Sequence, residues 1–444
     1  MARTVALFSA LMFMALVSPL AAQDQVYVRR GNPKREGRAW TEHAECGGAA
    51  REGGRLVLRS DAGSVRVMPQ ASGRVTCRVR IRAFTPNLEQ AERLFREYKL
   101  GAHTLEEGSL MISGELPPEY HWRRALLVHF EITTPKDYNL DLATNAGDLI
   151  VGDLNGELRG NTAGGDVQVG DVTGPVHVET KGGDIDLGLV GGRLDAQTAG
   201  GSIHARQVNG DAVMETSGGE ITAGSIAGSV SAVTAGGDIV LRGATGPVRA
   251  ETAGGQIRVG TCGSSVRLES AGGSIRVQGA RGVVEAETAG GSIDLFRLES
   301  AVRAETTAGR IFAEISANRQ TFAASHLANS VGDVVVFIPA DLPLSVDAAI
   351  EQAFGHHIVT DFSNLRWVGN SERLPSRVVR VEGALNGGGK ILRIRTLMGD
   401  IEIHRADSPA LEEMRQHQEA FWSHWQQYWA THCKVTEAKE EEPK

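Results

Sequence analysis

Aromatic side chains make up only 5% of this 444-residue sequence, and no tyrosine or tryptophan occurs between Tyr138 and Trp367. A long stretch without such rings lacks the platforms on which sugars usually stack. Basic clusters are missing as well, and the formal net charge is −8, which argues against a nucleic-acid partner. After the first residues, no apolar run is long enough to cross a bilayer. The sequence contains no G-x-S-x-G elbow, no H-E-x-x-H helix and no phosphate-binding loop. These absences point to a non-catalytic protein that needs no cofactor and holds no metal.

Glycine is what the sequence has in quantity. A glycine recurs at Gly147, Gly165, Gly183, Gly201, Gly219, Gly237, Gly255, Gly273, Gly291 and Gly309, a step of 18 residues each time, and it is the second of a Gly-Gly pair in all but the first and last, where Ala146 and Ala308 precede it. Two positions later stands Leu, Val or Ile in every turn, as at Leu149, Val167 and Ile185. Fifteen positions later stands a hydroxyl in nine consecutive turns, such as Thr162, Thr180 and Ser270. A fixed period of this kind marks a solenoid, in which each turn buries its apolar face only against its neighbours. Within a turn, Val167, Val169, Val172, Val176 and Val178 divide between two strands that face one another. Hexapeptide helices repeat an aliphatic residue every six positions, which these offsets do not. A calcium β-roll needs carboxylates in every turn, whereas the residue after the glycine pair varies from Asp166 to Ser202, Glu220 and Gln256. The expected fold is all-β, a right-handed parallel β-solenoid with an N-terminal β/α cap and a C-terminal amphipathic helix.

Residues 1–22 read as a signal peptide, with Arg3 before a short apolar core and Ala21-Ala22 before the new terminus. The protein is then exported to the periplasm, the outer surface or the medium. Residues 23–145 form a β-rich capping region, in which Thr85-Pro86-Asn87 starts one helix with Leu88, Ala91, Leu94, Phe95 and Tyr98 on one face. Residues 146–315 are the ten turns, and 316–406 a β closure that includes a hairpin about Asn386-Gly387-Gly388-Gly389. Ser408-Pro409 opens a helix over 407–436 that carries Phe421, Trp422, Trp425 and Trp429 on one face, a candidate docking surface or a packing stripe. An acidic tail, 437–444, completes the chain. Export makes a disulfide permissible, and Cys46 and Cys77 are the candidate pair; Cys262 sits in an apolar slot and Cys433 is left over.

The turns of the form Thr162-Ala-Gly-Gly-Asp-Val-Gln-Val169, together with Val334–Ala340, Gly383–Gly389 and Leu397–Ile403, resemble the bacterial putative-adhesin family of β-strand-repeat domains. That resemblance covers about Leu56 to His404 and implies a β-solenoid at the cell surface. Across the turns, Glu251, Glu269, Glu287 and Glu305 should stack outward beside Arg249, Arg267 and Arg303, either as a surface ion-pair network or as a ligand-binding strip. His356-His357 with Asp361 offers a weak metal pattern, since adjacent residues on a strand point to opposite faces. The function expected is a cell-envelope or surface scaffold, adhesin-like, that binds a protein or envelope component or a second copy of itself. A polysaccharide-binding or -cleaving β-helix and a periplasmic signalling module docking through the terminal helix are the alternatives.

Overall fold

The computed structural model describes residues 26–105, 109–116, 126–368, 378–409, 411–412 and 414–416. The signal peptide, Phe421, Trp422, Trp425, Trp429, Cys433 and the acidic tail lie outside these residues.

Each repeat carries two short alternating runs, and a strand is the conformation that points residues two apart to the same side. In one turn, the strands Ile257–Cys262 and Val266–Ser270 bury Ile257, Val259, Val266 and Leu268. Every such strand pairs in parallel with its counterpart one repeat on. Leu149 lies opposite Val167, and Val167 opposite Ile185, an offset of 18 residues. In the other row Val248 lies opposite Val266, which lies opposite Val284. The result is two long sheets of 19 and 18 strands. Sheet I holds the strands that follow the glycine pair, and sheet II the strands that precede the next pair. Inward alanines such as Ala196, Ala205, Ala232 and Ala250 keep the space between the sheets narrow.

The two periodic polar features of the sequence are accounted for by contacts between turns. Thr252 donates its hydroxyl hydrogen to the Gly237 carbonyl, 2.9 Å, and accepts from the Gly255 amide, 3.1 Å. Thr180, Thr198, Ser270 and Thr288 repeat the first bond at 2.8 to 3.0 Å. These hydroxyls are buried and satisfy backbone groups that the corner would otherwise leave unpaired. The second glycine is required by proximity, because a Cβ at Gly255 would stand 2.0 Å from the Gly237 carbonyl oxygen. Where the variable residue after the pair is Asp or Ser, it is an acceptor for the next turn: Asp166 Oδ1 takes the Asp184 amide, and Asp184 Oδ1 takes that of Ser202. Ser202 and Ser274 do this as Asp does, so the contact depends on a short side chain with an oxygen rather than on charge.

Parallel stacking continues beyond the strictly periodic stretch at both ends. Arg55–Ser60 pairs with Asn139–Thr144, and Ser64–Gln70 with Leu149–Val151, so an earlier segment supplies the turn beneath the first repeat. Leu110–Glu115 and Leu126–Pro135 pair in turn with those two strands. The spatial order is not the chain order there, which is why no 18-residue period is visible in that region. Outside them, Arg74–Ala83 and Ala39–Ala49 run antiparallel. The helix Leu88–Glu97 packs Ala91, Leu94 and Phe95 inward, with Asn87 as its N-cap, while Leu88 is exposed. At the other end, Ser325–Val331 and Val334–Ile338 stack on the last repeat, followed by Lys390–Met398 and Ile401–Arg405.

The hairpin expected about Asn386–Gly389 is not formed. Val379–Leu385 pairs antiparallel with Leu344–Ile350, whereas Lys390–Met398 lies on the other side of that strand, parallel to it and to Ser325–Val331. The glycine-rich loop therefore passes over the start of Leu344–Ile350, anchored by Asn386 Nδ2 on the carbonyls of Ala340 and Leu342. The reason lies in the core: Leu392 and Ile394 continue the inward line of Leu327, which a hairpin would have interrupted.

Candidate functional site

In sheet II the residues that alternate with the buried ones form two outward lines. Arg249, Arg267, Glu285 and Arg303 lie opposite one another in successive strands, as do Glu251, Glu269, Glu287 and Glu305. Like charges directly opposite repel, and the sequence relieves this within three of these four strands. Arg249 pairs with Glu251, Arg267 with Glu269 at 2.7 Å, and Arg303 with Glu305 at 2.7 Å. Arg267 also reaches Glu285 of the next strand, 3.4 Å. The structure thus brings the whole sequence-derived ladder together. Glu287 differs from the rest, because its strand has Glu285 where the others have arginine, and it has no ion pair among the described residues.

Beside the glutamates, the chain turns the corner through Ser217, Ala235, Ala253, Ala271 and Ala289. These small side chains leave an open groove of about 880 Å³ that runs across the turns, walled by Glu215, Glu251, Glu269 and Glu287. A second hollow of about 280 Å³ adjoins it among Arg267, Glu285, Glu287 and Arg303. The threonine hydroxyls beneath the groove are committed to backbone partners, and Glu251 and Glu269 to arginines, so Glu215 and Glu287 are the wall carboxylates without an ion pair among the described residues. Such a surface can accept hydrogen bonds from an extended cationic or hydroxyl-rich chain. It brings no nucleophile and base to a common point.

The histidines fall elsewhere. His356 and His357 both meet Asp400, at 3.3 Å each, and Asp361 pairs with His404 instead. Burial acts to raise the Asp400 pKa, but the His357 amide and the two imidazoles outweigh it and hold that carboxyl below its ordinary value. Among the described residues, no three His, Cys, Asp or Glu side chains are grouped to hold a metal.

A second feature was not legible in the repeat. On the outer face of sheet I, Phe296, Phe312 and Phe337 form an aromatic line with ring centroids 4.7 and 5.6 Å apart, continued by His404 at 5.4 Å. Leu411 is buried among the three phenylalanines, with Met414 packed beside them, and residues 409, 411–412 and 414–416 are helical. Arg415 closes the contact by pairing with Glu314. Aromatic residues at outward positions of an otherwise polar face were the available signal. At the far end, Cys46 and Cys77 face each other across two antiparallel strands and are joined as a disulfide, Cα atoms 4.8 Å apart. Cys262 is a buried free thiol whose pKa burial pushes up.

Comparison with known proteins adds little. No protein-family model matches the chain, and no curated protein does either. The chain aligns with a solved structure described as a "putative cell adhesion protein from Clostridium sporogenes ATCC 15579", over 86% of this chain and 100% of that one. Identity is 7% and the TM-score 0.16, too low for the likeness to carry an argument.

Proposed function

We propose that this protein is an exported, non-catalytic β-solenoid that serves as a cell-envelope or surface scaffold with an adhesin-like binding role. The observation that carries this reading is the groove along sheet II. It is open, crosses several turns, and is lined by a repeated carboxylate with small residues beside it. A feature repeated along one axis suits a partner that is itself extended and repetitive, as envelope polymers and extended polypeptides are. The Cys46–Cys77 disulfide agrees with an oxidising compartment. The scarcity of aromatic rings in the repeat weighs against the sugar-cleaving alternative.

Co-sedimentation with isolated bacterial envelopes tests the reading. Saturable retention without release of soluble sugar or peptide fragments supports it. Release of such fragments would replace it with an enzymatic role, and absence of retention would remove the envelope as the partner.

A further inference from the structure

Two strands of sheet II depart from the arginine–glutamate alternation around them. Val284–Thr288 carries glutamate at both outward positions, Glu285 and Glu287, and both are exposed. Lys390–Met398 carries arginine at both, Arg393 and Arg395. Neither surplus is fully neutralised within the chain. Among the described residues Glu285 pairs only with Arg267 and Glu287 has no ion pair, while Arg393 and Arg395 share the carboxylate of Asp347 with Arg380. Between the two strands lie Val302–Ala308 and Ser325–Val331, paired with one another and each with one of them. At ~4.8 Å per strand the surpluses stand ~14 Å apart, too far to pair within one molecule.

A second copy closes that distance. A two-fold axis laid along the strands, midway between Val302–Ala308 and Ser325–Val331, turns sheet II onto another sheet II and exchanges the two unusual strands. Glu285 then faces Arg393 of the second copy, and Glu287 faces Arg395. The same rotation sets Arg249 over Glu382, Arg267 over Asp347 and Glu251 over Arg380. Glu269 and Glu305 meet Ala349 and Ala328, which carry no charge. Arg303 comes over His326, whose protonation burial disfavours. Half a strand to either side the match fails, since Arg303 and Glu305 would face their own counterparts, or Glu285 would face Asp347. A two-fold contact requires a surface that is its own complement, and this stretch of sheet II is one. It measures about 34 Å by 16 Å, the size of a small, reversible interface.

We infer that the protein forms a two-fold dimer through the outer face of sheet II, with Glu285 and Glu287 of each copy against Arg393 and Arg395 of the other. The contact does not depend on the envelope reading. Because the axis runs along the strands, the corners that carry Ala253 and Ala271 come to one edge of the dimer, where the two grooves lie side by side.

Sedimentation velocity of the full chain over a range of concentrations, at about 50 mM and about 500 mM salt, tests this. The wild type should dimerise at low salt and be monomeric at high salt. Glu285→Arg and Arg393→Glu should each weaken the dimer at least about tenfold, because each sets like charges opposite one another twice. Mixed in equal amounts, the two variants should associate again, since both contacts are then complementary. A monomer under every condition overturns the inference. So does a dimer that the single variants leave intact, or a mixture that stays monomeric. Should Arg393→Glu fail to fold, Glu285→Cys with Arg393→Cys in one chain asks the same question, because the two positions are too far apart in a single molecule to bridge. A dimer linked from 285 to 393 in peptide maps supports the contact, and absence of that link overturns it.

Discussion

Arg415 and Glu314, 101 residues apart in sequence, form an ion pair in which the glutamate side chain is wholly shielded from solvent. Glu314 lies at an outward position of Ile311–Ile315, so the start of the terminal helix, and not the core, is what buries it. Removing the guanidinium leaves a buried charge without a counter-ion. Arg415→Ala should therefore destabilise the protein by about 3–5 kcal/mol. Adding Glu314→Leu should recover most of the loss, because the stranded charge is gone. Thermal melts of the single and double variants decide it.

The corner hydroxyls carry a separate expectation. Thr252→Val keeps the shape but leaves the Gly237 carbonyl and the Gly255 amide unpaired, at a cost of about 1–3 kcal/mol. Thr252→Ser should be nearly neutral, since Ser270 already makes the same bonds in the next turn. Gly255→Ala should be far worse than Gly254→Ala, because their added methyls meet carbonyl oxygens at 2.0 and 3.3 Å respectively. Urea denaturation compares all four variants.

Much of this architecture was legible because the period is strict. Ile257 and Val266 recur at fixed offsets, and only a stack of turns buries every copy. The recurrence of the hydroxyl at Thr252 and the outward arginine–glutamate lines were visible in the same spacing. Asp166 was read only as a failed metal ligand, since its contact is with the backbone of the following turn and leaves no pattern beyond "oxygen here". The strands 55–60 and 64–70 were harder, because the segment that separates them from the first repeat in sequence is placed elsewhere in space. The expected hairpin failed for a related reason. Asn386–Gly389 has turn chemistry, but turn chemistry does not say whether the two strands it joins are neighbours.

Two titrating groups set opposite pH dependences. Burial alone would lower the His404 pKa, but hydrogen bonds and charge from Glu402 and Asp361 prevail and raise it above 6.5. Its stabilising contribution is therefore complete below 6.5 and is lost as pH rises through the folded-state value. Burial would raise the Asp347 pKa, but Arg395 and Arg380 hold it below 3.8. That contribution is present above 3.8 and is lost as pH falls through the folded-state value. The stability gap between wild type and His404→Gln should be wide at about pH 5.5 and narrow by about pH 8. Denaturant midpoints across that range check the sign.

The Cys46–Cys77 bridge closes a segment with a sequence separation of 31 and ties the two antiparallel strands at the N-terminal end. Material prepared under oxidising conditions should gain two mass units on reduction, and Cys46→Ser with Cys77→Ser should melt earlier, by about 2–4 kcal/mol of stability. Peptide mapping without reductant identifies the linked pair.

The most direct measurement of a groove-borne binding role is envelope co-sedimentation with its charge reversed. Glu269→Lys with Glu287→Lys changes two outward side chains of sheet II and no buried one. Retention should be lost in this variant, with circular dichroism unchanged, while Gln168→Lys on the opposite sheet should bind as the wild type does. Undiminished retention of the groove variant, or equal loss in both, would contradict the groove as the binding surface.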